Sequence, residues 1–308
     1  MKGKLKTLLA LCAATPLLLA STLATAATAK PLTIGMSFQE MNNPYFVTMQ
    51  EALKEAAGSM GATVIEADAR HDVSKQINDI EDMLQKKIDI LLINPADTNG
   101  VENAVNEAKK AGVVVVAIDA QAKGPIDSFV GSKNYDAGMQ AGEYLAKALG
   151  GKGKVAILDG IPVVPIIERV KGFEDAMKKY PDIKIVNKQN GKQERDTAMN
   201  VTENMLQAAP DLAGIFSVND TGSLGALAAI QANGADIKLV SVDGQPEAIK
   251  EIEKPNSPFI ATSAQFPRDM VRLGLGVAMA KHWGSQVPAS VPLDVKLITK
   301  DNANGFSW

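Results

Sequence analysis

Short apolar segments alternate with amphipathic segments along residues 32–298 of the 308-residue chain. Most of the apolar segments are continuous rather than alternating, which is typical of parallel strands covered by helices on both faces. The segments between them repeat apolar residues with a period near 3.6, as amphipathic helices do. This order predicts an α/β fold of doubly wound parallel sheets with right-handed crossovers.

The predicted strands divide more naturally into two sheets than into one. Strand–helix units fill residues 32–149, and a fresh run starts at residue 154 after the glycine-rich stretch 150–153. Because no long linker separates the runs, we expect two lobes joined by brief crossings, with a ligand cleft at the carboxyl ends of the strands. The predicted strands are 32–37, 62–67, 88–93, 113–118, 154–158, 183–187, 214–218, 238–242, 258–263 and 294–298.

Residues 1–29 have the pattern of an export signal rather than of a folded segment. Three lysines within the first six residues precede an apolar run over residues 8–20, and small residues follow. This order predicts a secretory signal peptide cleaved near Ala26 or Ala29, since the apolar run is too short to span a membrane. Cleavage there would remove Cys12, the one Cys of the chain.

Composition and missing motifs argue against several classes of protein. A net charge of −3 argues against nucleic-acid binding, which requires a basic excess. A single Cys cannot form an intramolecular disulfide, and two His argue against a His-rich metal site. No G-x-G-x-x-G follows a predicted strand and no G-x-S-x-G occurs, which disfavours a dinucleotide-dependent dehydrogenase and an α/β-hydrolase. We therefore expect no cofactor and no metal.

Two acidic residues follow predicted strands at corresponding places in the two lobes. Asp119 follows the fourth strand and Asp243 follows the eighth. A carboxylate accepts several hydrogen bonds from hydroxyl groups. Turn or helix capping explains either Asp taken singly. The repetition in both lobes favours contact with a ligand.

Amide and aromatic residues occur in similar loops. Asn43 precedes Pro44 and fits a helix N-cap, while Tyr45 and Phe46 place two aromatic rings in the first helical turn. These rings can stack on the C–H face of a sugar, and core packing is the alternative, above all for Phe46. Further amides follow later strands, and the whole set suits a neutral polyhydroxy ligand better than a phosphate; they are Gln193, Asn219 and Gln265.

Several short motifs, taken in their order and spacing, resemble the type I periplasmic sugar-binding proteins, and the ribose-binding branch most. The resemblance covers nearly all of the chain after residue 29. Its motifs are Asn42-Asn43-Pro44-Tyr45-Phe46, Leu91-Leu92-Ile93-Asn94-Pro95-Ala96-Asp97, Asp119, Glu168-Arg169 with Gly172-Phe173, Asn219-Asp220 with Leu224-Gly225-Ala226, Val242-Asp243-Gly244 and Ala264-Gln265.

The resemblance implies two Rossmann-like, doubly wound parallel-sheet lobes joined by three crossings and a hinge. The expected N-terminal lobe is 30–132 plus 266–293, and the C-terminal lobe is 133–265 plus 294–308. It also implies a periplasmic, monomeric solute-binding protein of an ABC importer, which delivers a sugar or sugar-like polyol to a permease and its ATPase without covalent chemistry. Matching positions give the expected ligand-binding residues Asn43, Tyr45, Phe46, Asp119, Asn219, Asp243 and Gln265, with Gln39, Ser132 and Gln193 as further matches.

Two departures from the family pattern change the expected pocket. Ala120 and Ile167 stand where ribose-type members usually have Arg, so Ile167 is expected to give the ligand a less polar contact. Arg169 is retained and expected to serve a salt bridge, and the two Asp residues have no obvious counter-charge. The departures argue against ribose itself and favour another pentose, a polyol, a deoxygenated sugar or an aminated compound.

Two other functions fit parts of the sequence. A periplasmic sensor that presents a small molecule to a chemoreceptor or histidine kinase would have the same fold and pocket, so only neighbouring genes could separate it from a transport protein. An exported α/β enzyme is the weaker alternative, because no nucleophile–base pair is visible in the sequence. Turnover of a bound sugar by the purified protein would favour the enzyme.

Overall fold

The computed structural model describes residues 31–308, so the predicted signal peptide with Cys12, Ala26 and Ala29 lies outside the described residues. The strands in this part are β1 (Thr33–Phe38), β2 (Thr63–Asp68), β3 (Ile90–Ile93), β4 (Val114–Ile118), β5 (Ser128–Ser132), β6 (Lys152–Asp159), β7 (Asp182–Asn190), β8 (Leu212–Ser217), β9 (Lys238–Asp243), β10 (Phe259–Ala264), β11 (Ser290–Leu293) and β12 (Lys296–Thr299). The helices are α1 (Pro44–Ser59), α2 (Val73–Gln85), α3 (Glu102–Lys110), α4 (Asn134–Ala148), α5 (Val164–Met177), α6 (Arg195–Ala208), α7 (Asp220–Asn233), α8 (Pro246–Glu253) and α9 (Pro267–His282). Within residues 31–308, none of the helices is long and apolar enough to cross a membrane.

The strands form two six-stranded sheets with the same internal order. The first sheet runs β11-β5-β4-β3-β1-β2 and the second runs β12-β10-β9-β8-β6-β7. Pairing is parallel throughout, except that β12 is antiparallel to β10. The chain passes between the sheets after β5, after β10 and again between β11 and β12. The predicted fold, two doubly wound parallel sheets joined by three crossings, is therefore confirmed.

Both faces of each sheet are buried against helices, which explains the continuous apolar strands. In β4, Val114, Val116 and Ile118 contact one hydrophobic cluster, while Val115 and Ala117 contact another on the opposite face. The second sheet likewise has a cluster on each face. Because side chains alternate between faces in a strand, a strand covered on both sides is apolar at every position.

The prediction of ten strands was wrong by two, both at the same edge of the first sheet. β5 has the sequence Ser-Phe-Val-Gly-Ser, whose small and polar residues hide the strand pattern. β11 is a four-residue edge strand that contains Pro292, a residue confined to edges because it cannot donate to the ladder. The strand expected at 294–298 begins two residues later, at Lys296.

Candidate functional site

Asp119 and Asp243 lie at the carboxyl ends of corresponding strands of the two sheets. Asp119 directly follows β4 and Asp243 ends β9. Both residues have a positive φ, 66° for Asp119 and 128° for Asp243, in a backbone region that residues other than glycine seldom adopt. A strained backbone conformation persists only where surrounding contacts hold it in place, and such conformations are common at functional sites.

These two carboxylates face the same pocket between the sheets. The pocket contains about 320 Å³ not occupied by protein atoms, part of which opens to solvent. It brings together eight of the eleven residues predicted from the sequence, and four that were not predicted. Its lining residues are Gln39, Asn43, Tyr45, Phe46, Asp119, Val163, Pro165, Ile166, Arg169, Gln193, Asp243 and Gln265.

On the side of the second sheet, Asp243 has a buried cation as its partner. Arg169 Nη1 donates to Asp243 Oδ1 at 3.2 Å, and Gln265 Nε2 donates to the same oxygen at 2.7 Å. The guanidinium also donates to Asn134 Oδ1 and to the carbonyl of Val218, each at 2.8 Å. The expectation that Asp243 lacks a counter-charge was therefore wrong, while the salt bridge expected of Arg169 is present.

Close packing of α4 against α5 fixes the position of Arg169. A Cβ on Gly138 of α4 would lie 1.9 Å from the carbonyl oxygen of Arg169, and a Cβ on Gly172 of α5 would lie 2.0 Å from that of Tyr135. Only glycine permits this reciprocal approach of the two backbones. The approach carries the Arg169 guanidinium beneath the end of β9.

On the side of the first sheet, Asp119 is held by neutral donors. The hydroxyl of Tyr45 donates to Asp119 Oδ1 at 3.1 Å, and Asn94 Nδ2 donates to Oδ2 at 3.3 Å. Burial raises the pKa of Asp119 to about 6, with Arg169 acting to lower it and Asp243 to raise it further. Burial, followed by the nearby Asp119, also raises the pKa of Tyr45 well above its ordinary value, so its hydroxyl stays a donor.

Asp220, at the start of α7, supports the turn that carries Asp243. Its Oδ2 accepts from the backbone N–H groups of Gly244 and Gln245, each at 2.7 Å, and Thr262 Oγ1 donates to its Oδ1 at 2.8 Å. Burial and the neighbouring Asp243 raise the pKa of Asp220. Burial also raises the pKa of Asp243, which Arg169 acts to lower.

Two amide oxygens on the pocket wall have no hydrogen-bond partner among residues 31–308. They are Gln39 Oε1 and Gln265 Oε1, and both side chains are buried. A buried acceptor without a partner is costly, and such atoms are uncommon in native proteins. One Gln comes from each sheet, so the pocket offers acceptors to a ligand hydroxyl from both sides.

Three of the predicted site residues lie off the pocket lining. Asn219 is the N-cap of α7, accepting from Gly222 N at 3.0 Å and donating to the Gln193 carbonyl at 3.3 Å. Ser132 is buried at the end of β5. Ile167 is 55% exposed, because the buried face of α5 passes through Ile166, one residue earlier and about 100° away on the helix. The structure therefore places Ile167 away from the pocket in which the sequence predicted that it would contact the ligand.

The pocket residues missing from the prediction all belong to the first part of α5 and the residue before it. Val163, Pro165 and Ile166 form an apolar wall, and Arg169 lies beside them. The sequence did contain a signal for Arg169. It shares one helical face with buried Ile166 and Phe173, and an Arg on an apolar face needs a buried partner.

The lobes also contact each other beside the pocket, through a side chain of the second lobe that does not line it. Gln245 Nε2, from the second lobe, donates to Asn43 Oδ1 of the first lobe at 3.1 Å and to Thr221 Oγ1 at 2.9 Å. Asn43 Oδ1 also accepts from Tyr45 N at 3.0 Å, so Asn43 is the N-cap that the sequence suggested. Gln245 was not predicted, and it links the lobes in this closed arrangement.

The arrangement combines hydrogen-bonding groups with an apolar wall. Carboxylate and amide acceptors, one guanidinium donor and the rings of Tyr45 and Phe46 surround one small space. Hydrogen-bonding groups of this kind match vicinal hydroxyls, and the rings match C–H faces. Among residues 31–308, no cluster of three or more His, Cys, Asp or Glu side chains could hold a metal ion.

The chain is similar to proteins that bind small carbohydrates. Residues 34–284 match a family model described as a periplasmic binding protein domain. The ribose import binding protein of Bacillus subtilis is 36% identical over 273 residues, which is 88% of each chain.

Solved structures agree with these matches. A solute-binding protein of an ABC transporter from Mycobacterium smegmatis, with bound glycerol, superposes with a TM-score of 0.86 at 32% identity, covering 89% of this chain and 96% of that one. A protein of the same kind from Actinobacillus succinogenes, with bound D-allose, gives 0.83 at 29% identity, covering 90% of this chain and all of that one. This chain belongs to the periplasmic binding proteins, as a type I sugar-binding member of the ribose-binding kind.

Proposed function

We propose that the protein is the solute-binding component of an ABC importer and captures one neutral sugar or polyol between its lobes. The observation that carries the proposal is the pocket itself, in which Asp119 and Asp243 enter from separate sheets. The unpartnered oxygens of Gln39 and Gln265 lie beside them. A ligand bonded to both walls stabilises the closed form over the open form, which is what drives closure.

The size and lining of the pocket favour a small ligand. The empty space of about 320 Å³ includes part of the open mouth, so the enclosed space is smaller than this figure, and the side chains of Val163, Pro165 and Ile166 offer one wall no hydrogen bonds. We therefore favour a pentose or a shorter polyol over a hexose. Micromolar binding requires about −8 kcal/mol, and several hydrogen bonds to buried charged groups supply that amount.

The proposed residue roles follow from the contacts. Asp119 and Asp243 accept from ligand hydroxyls, and Arg169 donates to a ligand oxygen. The Tyr45 and Phe46 rings cover a C–H face. Gln193 contributes less, because its Oε1 already accepts from Ile161 N at 3.1 Å.

Further parts of the proposal concern the whole protein. We place the lobe boundaries at 132/133, 265/266 and 293/294, and the signal cleavage near Ala26 or Ala29. The mature protein is a periplasmic monomer that delivers its ligand to a permease and its ATPase and performs no covalent chemistry. The sensor alternative is not favoured, because the matching relatives include import binding proteins. We also propose a chemoreceptor as an additional partner of the ligand-bound protein.

The test is ligand screening followed by calorimetry. Thermal shifts measured with D-ribose, D-xylose, xylitol, glycerol and D-allose identify the ligand, since a ligand that binds only the native state raises the melting temperature. With that ligand, Asp119→Ala and Asp243→Ala each weaken binding at least about tenfold, because each removes charged hydrogen bonds. Asp236→Ala, at an exposed position, is the control. Unchanged affinity in both site variants would contradict the site, and turnover of the ligand would contradict the binding role.

A further inference from the structure

Trp308 does not line the pocket, but it contacts a pocket residue on each side, Tyr45 in the first lobe and Asp243 in the second. Its Nε1 donates to the carbonyl oxygen of Asp243 at 2.9 Å. Its ring meets the ring of Tyr45 edge to face, with centroids 5.7 Å apart and planes at 82°. Tyr45 in turn donates to Asp119. A single side chain therefore connects the two carboxylate sites.

The contact with Asp243 falls on strained backbone. Asp243 has a φ of 128°, and its carbonyl oxygen accepts from Gln265 N and from Trp308 Nε1, each at 2.9 Å. Backbone held in such a region persists only when several contacts fix it. Trp308 provides one of the two hydrogen bonds to this carbonyl, so it helps to fix the direction of the Asp243 side chain.

The contact with Tyr45 fixes the other carboxylate. The Tyr45 ring also meets Phe46 edge to face at 5.2 Å, so it is enclosed by Phe46 and Trp308. Edge-to-face pairs at these separations are attractive beyond their buried area. Loss of the Trp308 ring would leave Tyr45 freer to rotate and would weaken its hydrogen bond to Asp119.

Trp308 also joins the two lobes. The segment before it is anchored on the second lobe, where Ala303 is fully buried in a hydrophobic cluster of the second sheet and Phe306 packs against the same cluster. Trp308 itself packs against the hydrophobic cluster on the first sheet. Opening of the cleft must separate this segment from one lobe or the other.

We propose that Trp308 is a positioning residue that sets the direction of both carboxylates and stabilises the closed form. This inference rests on the proposed function, because it concerns the same pocket. It adds that binding strength depends on a residue outside the pocket. Among the hydrogen bonds and ring contacts of residues 31–308, only those of Trp308 join the Tyr45 side chain and Asp243 through one side chain.

The affinity test compares the two tryptophans of the chain. Binding of D-ribose, xylitol and glycerol is measured by calorimetry for wild type, Trp308→Ala, Trp308→Phe and the control Trp283→Ala, which alters a side chain that is 67% exposed. Trp308→Ala weakens the tightest of these at least about tenfold, and Trp308→Phe falls between because it packs but cannot donate. The control binds like wild type. Affinity of Trp308→Ala within twofold of wild type would overturn the inference, whereas failure of wild type to bind would count against the proposed function instead.

A measurement without ligand tests the inference independently. Spin labels are attached to Asn42→Cys and Asp196→Cys, two positions that lie exposed at the mouth of the cleft on opposite lobes. The proposed cleavage removes Cys12, the one native Cys. The distance distribution of the Trp308→Ala protein shifts toward longer separations than that of the Trp283→Ala protein. Identical distributions would show that Trp308 does not stabilise the closed form.

Discussion

The two halves of the pocket occupy the same place in the fold and differ in charge. Asp119 follows β4 and Asp243 ends β9, and these strands have the same position in the order of their sheets. Asp119 is held by Tyr45 and Asn94, which are neutral, whereas Asp243 is paired with the Arg169 guanidinium. The topology thus decides where a carboxylate lies, and the neighbouring helices decide how its charge is balanced.

This difference assigns separate tasks to the two halves. Burial of a carboxylate costs stability, and burial is the main cause of the raised pKa of Asp119, which Arg169 opposes without a direct hydrogen bond to this carboxylate. A ligand can offset part of the cost by donating hydroxyl hydrogen bonds. The half around Asp243 has its own charge partner before any ligand arrives, so we expect it to be the more rigid half.

The largest effect is expected when the half around Asp243 is made to resemble the other. Arg169→Met removes a buried cation and its hydrogen bonds to Asn134 and Val218, and leaves Asp243 without its counter-charge. Breaking such a pair costs about 3–5 kcal/mol of unfolding free energy, measured by urea titration. Ligand binding should be lost as well.

An exposed ion pair provides the control for that substitution. Arg272 pairs with Glu55 at 2.8 Å, and both side chains are well exposed to solvent. Arg272→Met should therefore change the unfolding free energy by less than about 1 kcal/mol. If the two variants lose the same amount, the burial of Arg169 has no energetic consequence and the contrast between the halves disappears.

The second effect has the opposite sign and belongs to the half around Asp119. The pKa of this carboxyl is about 6 in the folded protein, above the ordinary value of 3.8. Between these pH values the folded state keeps a proton that the unfolded state has released, so the contribution of Asp119 to stability falls as the pH rises toward 6. Asp119→Asn removes the ionisation and should stabilise the ligand-free protein above pH 6 by up to about 3 kcal/mol.

Urea titrations at intervals from pH 4 to pH 8 measure this gain. The difference between variant and wild type should be small at pH 4, increase toward pH 6 and stay constant above it. Asp236→Asn, at an exposed site, should show no such increase. A variant less stable than wild type at pH 8 would mean that Asp119 already has an adequate charge partner without ligand.

A third and smaller effect concerns binding. The ligand hydroxyls donate to the ionised Asp119, so protonation near its pKa of about 6 removes a charged acceptor. Affinity should fall about tenfold from pH 7 to pH 5, measured by calorimetry. Asp119→Asn should bind more weakly and show a flatter profile over this range. Equal pH dependence in both proteins would assign the titration to another group.

The sequence predicted the two carboxylates of the pocket but not the groups that hold Asp243. Both Asp residues were identifiable, because each ends a continuous apolar strand and parallel strands end at one edge of a sheet. The residues that hold Asp243 come from distant parts of the chain. Arg169 reaches Asp243 through the packing of α5 on α4, and Trp308 reaches it across 65 positions of sequence. Such contacts depend on three-dimensional packing, which local pattern does not report.

The errors also have local causes. Ile167 was assigned to the ligand because it stands where ribose-type members usually have Arg, whereas the buried face of α5 passes through Ile166, about 100° away on the helix. β5 and β11 were missed because these short strands contain Gly, Ser or Pro, which hide the apolar strand pattern. Asn219 and Ser132 have suitable chemistry, yet the first is used in a helix cap and the second lies beyond the pocket lining.

The smallest effect is expected at Asp220, which lies beside Asp243 and has no cation of its own. Burial and the nearby carboxylate raise its pKa, so its neutral form is favoured. In Asp220→Asn, the amide oxygen can still accept from Gly244 N and Gln245 N, and the amide nitrogen can donate to Thr262 Oγ1. Unfolding free energy at pH 7 should change by less than about 1 kcal/mol, whereas Asp220→Ala should lose about 2–3 kcal/mol because buried N–H groups lose their acceptor. If the Asn variant were as unstable as the Ala variant, the ionised form of Asp220 would be required, and the half around Asp243 would contain two charges balanced by one Arg169.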